Sequence, residues 1–193
     1  MKTCLIVIDA QESFRHRPYY TEHDMPAYLS AQNALIEGCV ACGVPVVRIF
    51  HVDGPSIAAN AFAVESGHIK AIQGLADFAA AATFQKNRHS ALVGTGLGVW
   101  LHQNQIGKII ISGIRTEQCC ETTTRHASDL GYDVDYALDA TLTWDMQQPD
   151  GRTLSAADIK LRTATVLQDR FARVLTASEV LEALEPLAQA AAH

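Results

Sequence analysis

The run CLIVID at residues 4–9 decides how this 193-residue chain folds, because five consecutive apolar residues end abruptly at the carboxylate of Asp9. Similar apolar runs follow at residues 46–50, 109–111 and 174–175. A strand that is buried on both faces of a parallel sheet needs such a continuous run, whereas a half-exposed strand alternates apolar and polar residues. The runs therefore predict a mainly parallel sheet with both faces covered.

Helical patterns lie between these runs. Apolar or small residues recur at helical spacing within 35–40, 97–101 and 120–130, and Tyr132–Leu138 alternates like a strand nearer the sheet edge. Two capping patterns, Ser155 with Asp158 and Thr176 with Glu179, predict the starts of two helices. Thr116 is a candidate cap for a third helix. The alternation predicts a three-layer α/β/α sandwich with roughly six strands, folded as a single domain over residues 1–193.

Composition narrows the class of protein. The chain has 48% hydrophobic residues and a mean hydropathy of +0.05, which suits one globular domain with a sizeable core. Fifteen Lys and Arg against 21 Asp and Glu give a net charge of −6, which argues against a nucleic-acid partner and favours a small molecule. No stretch has the pattern of a signal peptide or a membrane span. The five cysteines are an odd number and, without a secretion signal, indicate reduced thiols and not a disulfide framework. We expect a cytoplasmic protein with reduced thiols that binds no membrane.

Three reactive residues follow predicted strands. Asp9 closes the first run, Lys86 follows the short segment 82–84, and Cys119 lies beyond the run at 109–111. Ligands of open parallel sheets bind at the carboxyl ends of the strands, so an acid, a base and a thiol could converge there. Taken singly, each residue has an ordinary interpretation: a helix cap or loop ion pair for Asp9, a solvated lysine, and an inert buried cysteine.

Three blocks of sequence carry a resemblance to a known family. They are IVIDAQ at 6–11 with Phe14, KNRHSAL at 86–92 followed by Thr95 and Leu97, and GIRTEQCC at 113–120 continuing through Thr123, Ala127, Gly131 and Tyr132. In this order and at these strand ends, the chain resembles the isochorismatase-like cysteine hydrolases, which include isochorismatases, nicotinamidases and N-carbamoylsarcosine amidases. The resemblance covers nearly the whole chain and implies the same Rossmann-like α/β fold.

The resemblance implies roles for particular residues. Cys119 would be the nucleophile, Asp9 the proton acceptor and donor, and Lys86 the residue that stabilises the charged arrangement. The backbone N–H groups of Arg115 and Cys119 would bind the oxyanion, and a cis peptide bond would join Ile114 to Arg115. A neighbouring ammonium and a helix N-terminus stabilise a thiolate, so we expect the pKa of Cys119 to be lowered.

Departures from the family bear on metal and cofactor. Nicotinamidases typically place an Asp, a His two residues on and a further His beyond the second strand to hold a divalent metal, whereas here His51 precedes Asp53 and no second His follows closely. A metal site needs at least three converging ligands. We therefore expect no metal and no cofactor, with His51 as a polar residue at a strand end or a hydrogen-bond donor in the pocket.

The substrate pocket is assigned to Gln11, Phe14, His51, Arg115 and Trp144. Arg115 replaces a small residue common among relatives, and two alternatives stay open: its guanidinium receives a substrate carboxylate, or it turns away to an acidic neighbour such as Glu117 or Glu121. In the first case the substrate would be anionic.

The resemblance also implies a homo-oligomer, a dimer or a tetramer, for which the connection 141–154 could be an interface or a lid.

These observations predict a metal-independent cysteine hydrolase that cleaves an amide or ureido C–N bond of a small molecule through a thioester. An isochorismatase-type vinyl ether hydrolase, with Asp9 as general acid, is the alternative. A non-catalytic binding protein on the same fold is the second alternative, since fold alone does not decide function.

Overall fold

The computed structural model describes residues 1–191, and the side chains of residues 1–184. Its strands are, in chain order, β1 (Lys2–Ile8), β2 (Val46–His51), β3 (Ala82–Lys86), β4 (Ile106–Ile114), β5 (Asp133–Leu142), β6 (Met146–Gln147), β7 (Thr153–Leu154) and β8 (Arg173–Leu175). Six of them form one sheet in the order β3-β2-β1-β4-β5-β8, and every pair in it is parallel. The prediction of a six-stranded parallel sheet is confirmed, and the alternating segment at Tyr132–Leu138 is part of β5, next to the edge strand.

Helices cover both faces of the sheet: α1 (Met25–Ala41), α2 (Leu97–Gln103), α3 (Glu121–Asp129), α4 (Ala156–Leu167) and α5 (Ala177–Ala191). Alternate residues of β1 point to opposite faces. Leu5 and Val7 pack in a core with residues of α1 and α5, whereas Ile6 and Ile8 pack in a second core with residues of α2, α3 and α4. Each such buried aliphatic side chain stabilises the fold by about 1.5–3 kcal/mol, which explains why the run at residues 4–8 has no polar residue.

Two of the three predicted helix starts carry their caps. The Ser155 hydroxyl accepts the N–H of Asp158 at 3.1 Å, and Thr176 accepts the N–H of Glu179 at 3.2 Å. The expectation for Thr116 is wrong, because its hydroxyl bonds to the Thr141 hydroxyl at 2.8 Å and caps no helix. The chain instead makes one wide helical turn, Thr116–Cys120, before α3 begins.

Gly113 lets β1 and β4 approach each other closely. It has a φ of 125°, and a Cβ atom at this position would overlap the carbonyl group of Ile8 on the neighbouring strand. A residue with a side chain would meet both backbone strain and a steric clash here. The strand ends that lead to Asp9 and to the turn at 116–120 are therefore held close together.

The connection at 141–154 contains a small antiparallel hairpin, formed by β6 and β7. Short strands of this kind leave no periodic signal in the sequence, and the hairpin was not predicted. Within the described part of the chain, no helix has the length and apolar character needed to span a membrane.

Candidate active site

Asp9, Lys86 and Cys119 meet at the carboxyl edge of the sheet. The Lys86 ammonium lies 2.7 Å from Oδ2 of Asp9 and donates a hydrogen bond of 3.2 Å to Sγ of Cys119. Asp9 follows β1 directly, Lys86 is the last residue of β3, and Cys119 lies in the turn after β4. Strand β2 separates β3 from β1, so the lysine side chain reaches across the end of β2 to make both contacts.

The backbone at Asp9 holds a left-handed conformation, with φ of 50°. Its N–H donates to Ile49 O on β2 at 3.0 Å, and its carbonyl accepts the N–H of Gln11 at 2.8 Å. A left-handed residue with a side chain costs about 1 kcal/mol, and Asp tolerates the conformation better than most residues. The sharp turn at Asp9 therefore directs its carboxylate to the strand ends at a modest cost.

The turn Thr116–Cys120 presents Cys119. Its hydrogen bonds include one from the Cys120 N–H to Arg115 O at 3.2 Å and one from the Thr123 hydroxyl to Cys119 O at 2.7 Å. The peptide bond between Ile114 and Arg115 is cis, at the position that the resemblance implied. These contacts leave the Cys119 thiol 7% exposed at the base of a cavity.

Burial controls the protonation of the acid and the amine. Both side chains are fully buried. Burial raises the pKa of Asp9 above its usual range, although the charge of Lys86 opposes the shift. For Lys86 burial acts to lower the pKa, but attraction to Asp9 and Cys119 outweighs it, so its pKa is raised. The lysine therefore stays an ammonium at neutral pH.

The thiol of Cys119 is not the activated thiolate that the sequence predicts. Burial raises its pKa well above the ordinary thiol value, the negative charge of Asp9 raises it further, and Lys86 only partly offsets the two effects. The expectation of a lowered pKa is wrong because it counted the ammonium and the helical turn without the buried carboxylate. Cys119 is a neutral thiol at rest, and a base must remove its proton before it can attack.

His51 is the third neighbour of Lys86, with Nδ1 2.9 Å from Nζ. Burial and the charge of Lys86 lower the pKa of His51 to about 4, so the ring is neutral at physiological pH and Nδ1 accepts the hydrogen bond. Gln11 fixes the position of His51 from behind. Its amide donates to His51 O at 3.0 Å and accepts the His51 N–H at 2.7 Å.

A cavity of about 450 Å³ opens above the triad. Its walls combine aromatic rings, two histidines, one arginine and two acids. The lining comprises Asp9, Phe14, Arg17, Tyr19, His51, Asp53, Gly54, Pro55, Asn60, Phe62, His89, Gln118 and Cys119. Phe14 and Phe62 pack edge to face with ring centroids 5.1 Å apart. A cavity of this size suits a small molecule.

Three residues that the sequence assigned to the pocket lie outside its lining, namely Gln11, Trp144 and Arg115. Gln11 is fully buried, and its side-chain amide forms hydrogen bonds with the backbone of His51. Trp144 stacks behind Phe14 at a centroid distance of 5.6 Å and donates its indole N–H to Thr21 O. Both support the wall of the cavity without forming its surface.

Arg115 follows the second of its two alternatives. Its guanidinium turns away from the cavity, pairs with Glu117 at 3.2 Å and donates to the Thr143 hydroxyl at 3.2 Å. Glu121, the other acidic neighbour considered, pairs with Arg125 and Arg162 instead. A buried guanidinium that already has these partners offers no contact to a substrate carboxylate.

Sequence patterns missed several residues of the cavity. Phe62 and Asn60 belong to the connection between β2 and β3, which is long and carries no strand or α-helix, so no periodicity marks their direction. Arg17 and His89 are exposed charged or polar residues, a type that is usually solvated. The triad was identifiable because it follows strands, whereas these residues converge only through tertiary folding.

One group of side chains has the donor atoms of a metal site. A carboxylate oxygen of Asp9, a ring nitrogen of His51 and Sγ of Cys119 lie within 4.8 Å of one another. The Lys86 ammonium contacts these same three residues, at 2.7, 2.9 and 3.2 Å respectively. A positive charge supplied by the chain itself already occupies this position, so the residues present do not fit a resident metal ion.

A thiol and a carboxylate that line a cavity at the carboxyl edge of a parallel sheet, with a buried ammonium in contact with both, are groups that nucleophilic hydrolysis uses. The model of the isochorismatase domain matches residues 3–191. The chain therefore belongs to the isochorismatase family, whose members are hydrolases.

Individual relatives agree with this assignment. The isochorismatase family protein YrdC of Bacillus subtilis is 28% identical over 93% of this chain and 95% of its own length. Nicotinamidase 3 of Arabidopsis thaliana is 33% identical over a shorter region, 38% of this chain and 37% of its own. Among solved structures, a cysteine hydrolase from Pseudomonas syringae superposes with a TM-score of 0.86 at 25% identity, covering 96% of this chain and 93% of that one.

Proposed function

We propose that this protein is a metal-independent cysteine hydrolase that cleaves the amide or ureido C–N bond of a small molecule. The observation that carries the proposal is the position of the buried Lys86 ammonium, 2.7 Å from the Asp9 carboxylate and 3.2 Å from the Cys119 sulfur, two residues that line the cavity. The likeness to a cysteine hydrolase over nearly the whole chain and to a nicotinamidase over part of it supports the choice of reaction.

The first half of the reaction follows from the protonation states. The Asp9 carboxylate takes the proton of the neutral Cys119 thiol, and the sulfur attacks the carbonyl carbon of the substrate. Protonated Asp9 then gives this proton to the leaving nitrogen, the C–N bond breaks, and a thioester joins the acyl group to Cys119. Lys86 remains an ammonium throughout and balances the negative charge as it passes from Asp9 to the sulfur.

The tetrahedral intermediate needs donors for its oxygen anion. The backbone N–H of Arg115 donates to no protein acceptor among the described residues, and it lies in the same turn as Cys119. We assign the oxyanion contacts to the N–H groups of Arg115 and Cys119. In the second half, Asp9 takes a proton from water, the resulting hydroxide attacks the thioester, and the thiol recovers the proton as it leaves.

Replacement of the thiol tests this mechanism, and the chain supplies a matched control. Cys119→Ala should abolish ammonia or amine release from a panel of small amides and ureides. Cys120→Ala, which changes the adjacent and fully buried cysteine of the second core, should retain turnover. A thioester on Cys119 should also be visible by mass spectrometry after acid quenching. Undiminished turnover in Cys119→Ala would exclude the nucleophile assignment.

Vinyl ether hydrolysis is the second candidate, and the raised pKa of Asp9 favours it specifically, because a carboxyl group that holds its proton is a better general acid. In that reaction Asp9 protonates the vinyl carbon and Cys119 forms no bond. The two candidates differ in one result: a vinyl ether hydrolase would survive Cys119→Ala but not Asp9→Asn, whereas an amide hydrolase needs both residues.

We further propose that the substrate carries a carboxylate and that Arg17 binds it. Arg17 lines the cavity, and among the described residues it has no carboxylate partner. Its guanidinium lies 5.7 Å from the ring centroid of Tyr19 and 5.9 Å from that of Phe62, so the aromatic walls position it. Arg17 therefore has the role, binding of a substrate carboxylate, that one of the two sequence-based alternatives gave to Arg115.

A further inference from the structure

We propose that Asp9, His51 and Cys119 form a cage for a cation, that the Lys86 ammonium is its occupant, and that His51 is a positioning residue for Lys86. The cage is a property of the folded chain, and only the kinetic part of its test rests on the proposed function. The name "cation cage" is used below for these three residues.

The number of acceptors around Lys86 matches the number of donors. An ammonium has three N–H bonds. Three residues offer partners for them, namely Asp9 at 2.7 Å, His51 Nδ1 at 2.9 Å and Cys119 Sγ at 3.2 Å. A buried ammonium is costly unless it is paired and hydrogen-bonded. His51 therefore accepts the third N–H of the Lys86 ammonium, for which Asp9 and Cys119 provide no acceptor.

Two neighbouring strands place the imidazole where Lys86 needs it. His51 on β2 lies beside Lys86 on β3 in the sheet register, and the next residue, Val52, donates its N–H to Lys86 O at 2.8 Å. Two hydrogen bonds with Gln11, one donated and one accepted by its side-chain amide, hold the His51 backbone on its other side. With Nδ1 as acceptor, the ring proton lies on Nε2. Position and tautomer of His51 are therefore both determined by the protein.

The donor atoms of the cation cage are also ligands of divalent metals. Carboxylate oxygen, imidazole nitrogen and thiolate sulfur all bind Zn²⁺ and Co²⁺, and here they lie within 4.8 Å of one another. In the wild-type protein the ammonium occupies the place of a metal. Removing the lysine side chain leaves three converging acceptors with no cation, which should convert the cation cage into a metal site.

The first test measures Co²⁺ binding by absorption spectroscopy, because a Co²⁺–thiolate bond gives a charge-transfer band in the near ultraviolet. Wild type should show no such band at neutral pH, and Lys86→Ala should gain one with a stoichiometry of one Co²⁺ per chain. The double variants His51→Phe/Lys86→Ala and Cys119→Ala/Lys86→Ala should lose it. Lys108→Ala, which removes a different, partly buried lysine that is also paired with a carboxylate, is the matched control and should show none.

Two outcomes would overturn the cation cage. One is a Lys86→Ala protein with native circular dichroism and no Co²⁺ band. The other is a band that persists unchanged in His51→Phe/Lys86→Ala. This test needs no substrate, so a failure of the cation cage and a failure of the hydrolase assignment are separate results.

The second test asks whether His51 acts through its acceptor atom. The side-chain oxygen of Asn can accept a hydrogen bond close to the place of Nδ1, whereas Phe keeps the ring and accepts none. We expect kcat to fall about tenfold in His51→Phe, the loss of one charge-assisted hydrogen bond, and His51→Asn to restore most of it with little change in KM. Equal losses in both variants would show that the ring merely fills space.

Discussion

Two buried carboxylates of this sheet, Asp9 and Asp135, are compensated very differently. Asp135 lies near the start of β5 and pairs with Lys108 at 2.6 Å and with Arg173 through two nitrogens at 2.8 and 2.9 Å. Asp9 has one cation, Lys86, which it shares with His51 and Cys119. Among the described residues no backbone N–H donates to the Asp9 side chain.

The difference shows what separates a structural acid from a reactive one. Two cations pair with Asp135, and these ion pairs link β5 to Lys108 on β4 and Arg173 on β8. At Asp9 burial outweighs the single ammonium, so the pKa is raised and the group can both take and give a proton. In the proposed mechanism, this partial compensation is what lets Asp9 transfer a proton.

The largest expected effect is the loss of proton transfer in Asp9→Asn. Asn cannot accept the thiol proton, so kcat should fall by about 10²–10⁴-fold. The free energy of unfolding should also fall, because Asn leaves the fully buried Lys86 ammonium without its carboxylate partner, although relief of the burial of the Asp9 charge offsets part of the loss. Steady-state turnover and urea unfolding of the same preparation measure both. Turnover per folded molecule close to that of the wild type would instead make Asp9 a structural acid like Asp135.

The pH dependence of the reaction should follow the raised pKa of Asp9. Protonated Asp9 cannot serve as base, so kcat/KM should fall tenfold per pH unit below this pKa, with the acid limb above the ordinary carboxyl value of 3.8. Near pH 4 protonation of His51 should add a further loss, since its Nδ1 then stops accepting from Lys86. A pH profile of kcat/KM checks this. A profile that stays flat below pH 4 would contradict the role of Asp9 as base.

Asp135→Asn should lower stability without the loss of turnover expected in Asp9→Asn. Breaking a buried ion pair costs about 3–5 kcal/mol, but Arg173 is half exposed and recovers water, so we expect about 2 kcal/mol of lost unfolding free energy. Turnover per folded molecule should be unchanged, because Asp135 contacts no residue of the triad. Denaturant unfolding with parallel activity measurements would detect the difference. Lost kcat at full stability would break the comparison.

The smallest expected effect concerns Arg17. Iodoacetate and iodoacetamide alkylate the same thiol but differ in charge, so the ratio of their rates at Cys119 reports the attraction of the cavity for a carboxylate. Arg17→Gln should lower this ratio about threefold, as expected for one exposed charge. Arg15→Gln, whose arginine pairs with Glu22, is the control and should leave the ratio unchanged. Equal ratios in wild type and Arg17→Gln would refute carboxylate binding by Arg17.

Much of the fold was predictable because burial on both faces leaves a direct trace in the sequence. The runs at 4–8, 46–50 and 109–111 became β1, β2 and the centre of β4. Asp9 and Lys86 could be assigned to the site because their positions follow from where strands end. The same argument located Cys119, since its turn follows β4.

The rest depended on contacts between distant parts of the chain. The direction of Arg115 is decided by Thr143, 28 residues away, and no local pattern encodes that contact. The cavity wall at Phe62 comes from an irregular connection. Burial and the approach of Asp9 raise the pKa of Cys119. The expectation of a lowered pKa weighed only the helical turn and the ammonium of Lys86. Tertiary distances determined each of these features.

Gly113 sets a steric limit on the candidate site although it carries no functional group. Ile8, whose carbonyl a Cβ at 113 would overlap, directly precedes Asp9, and Gly113 opens the segment that leads to Cys119. A single added methyl group would push these two strand ends apart, and with them the base and the nucleophile. Mutational tolerance should therefore be lowest at a residue with no functional group, and variants there should lose the distance between acid and thiol before they lose the sheet.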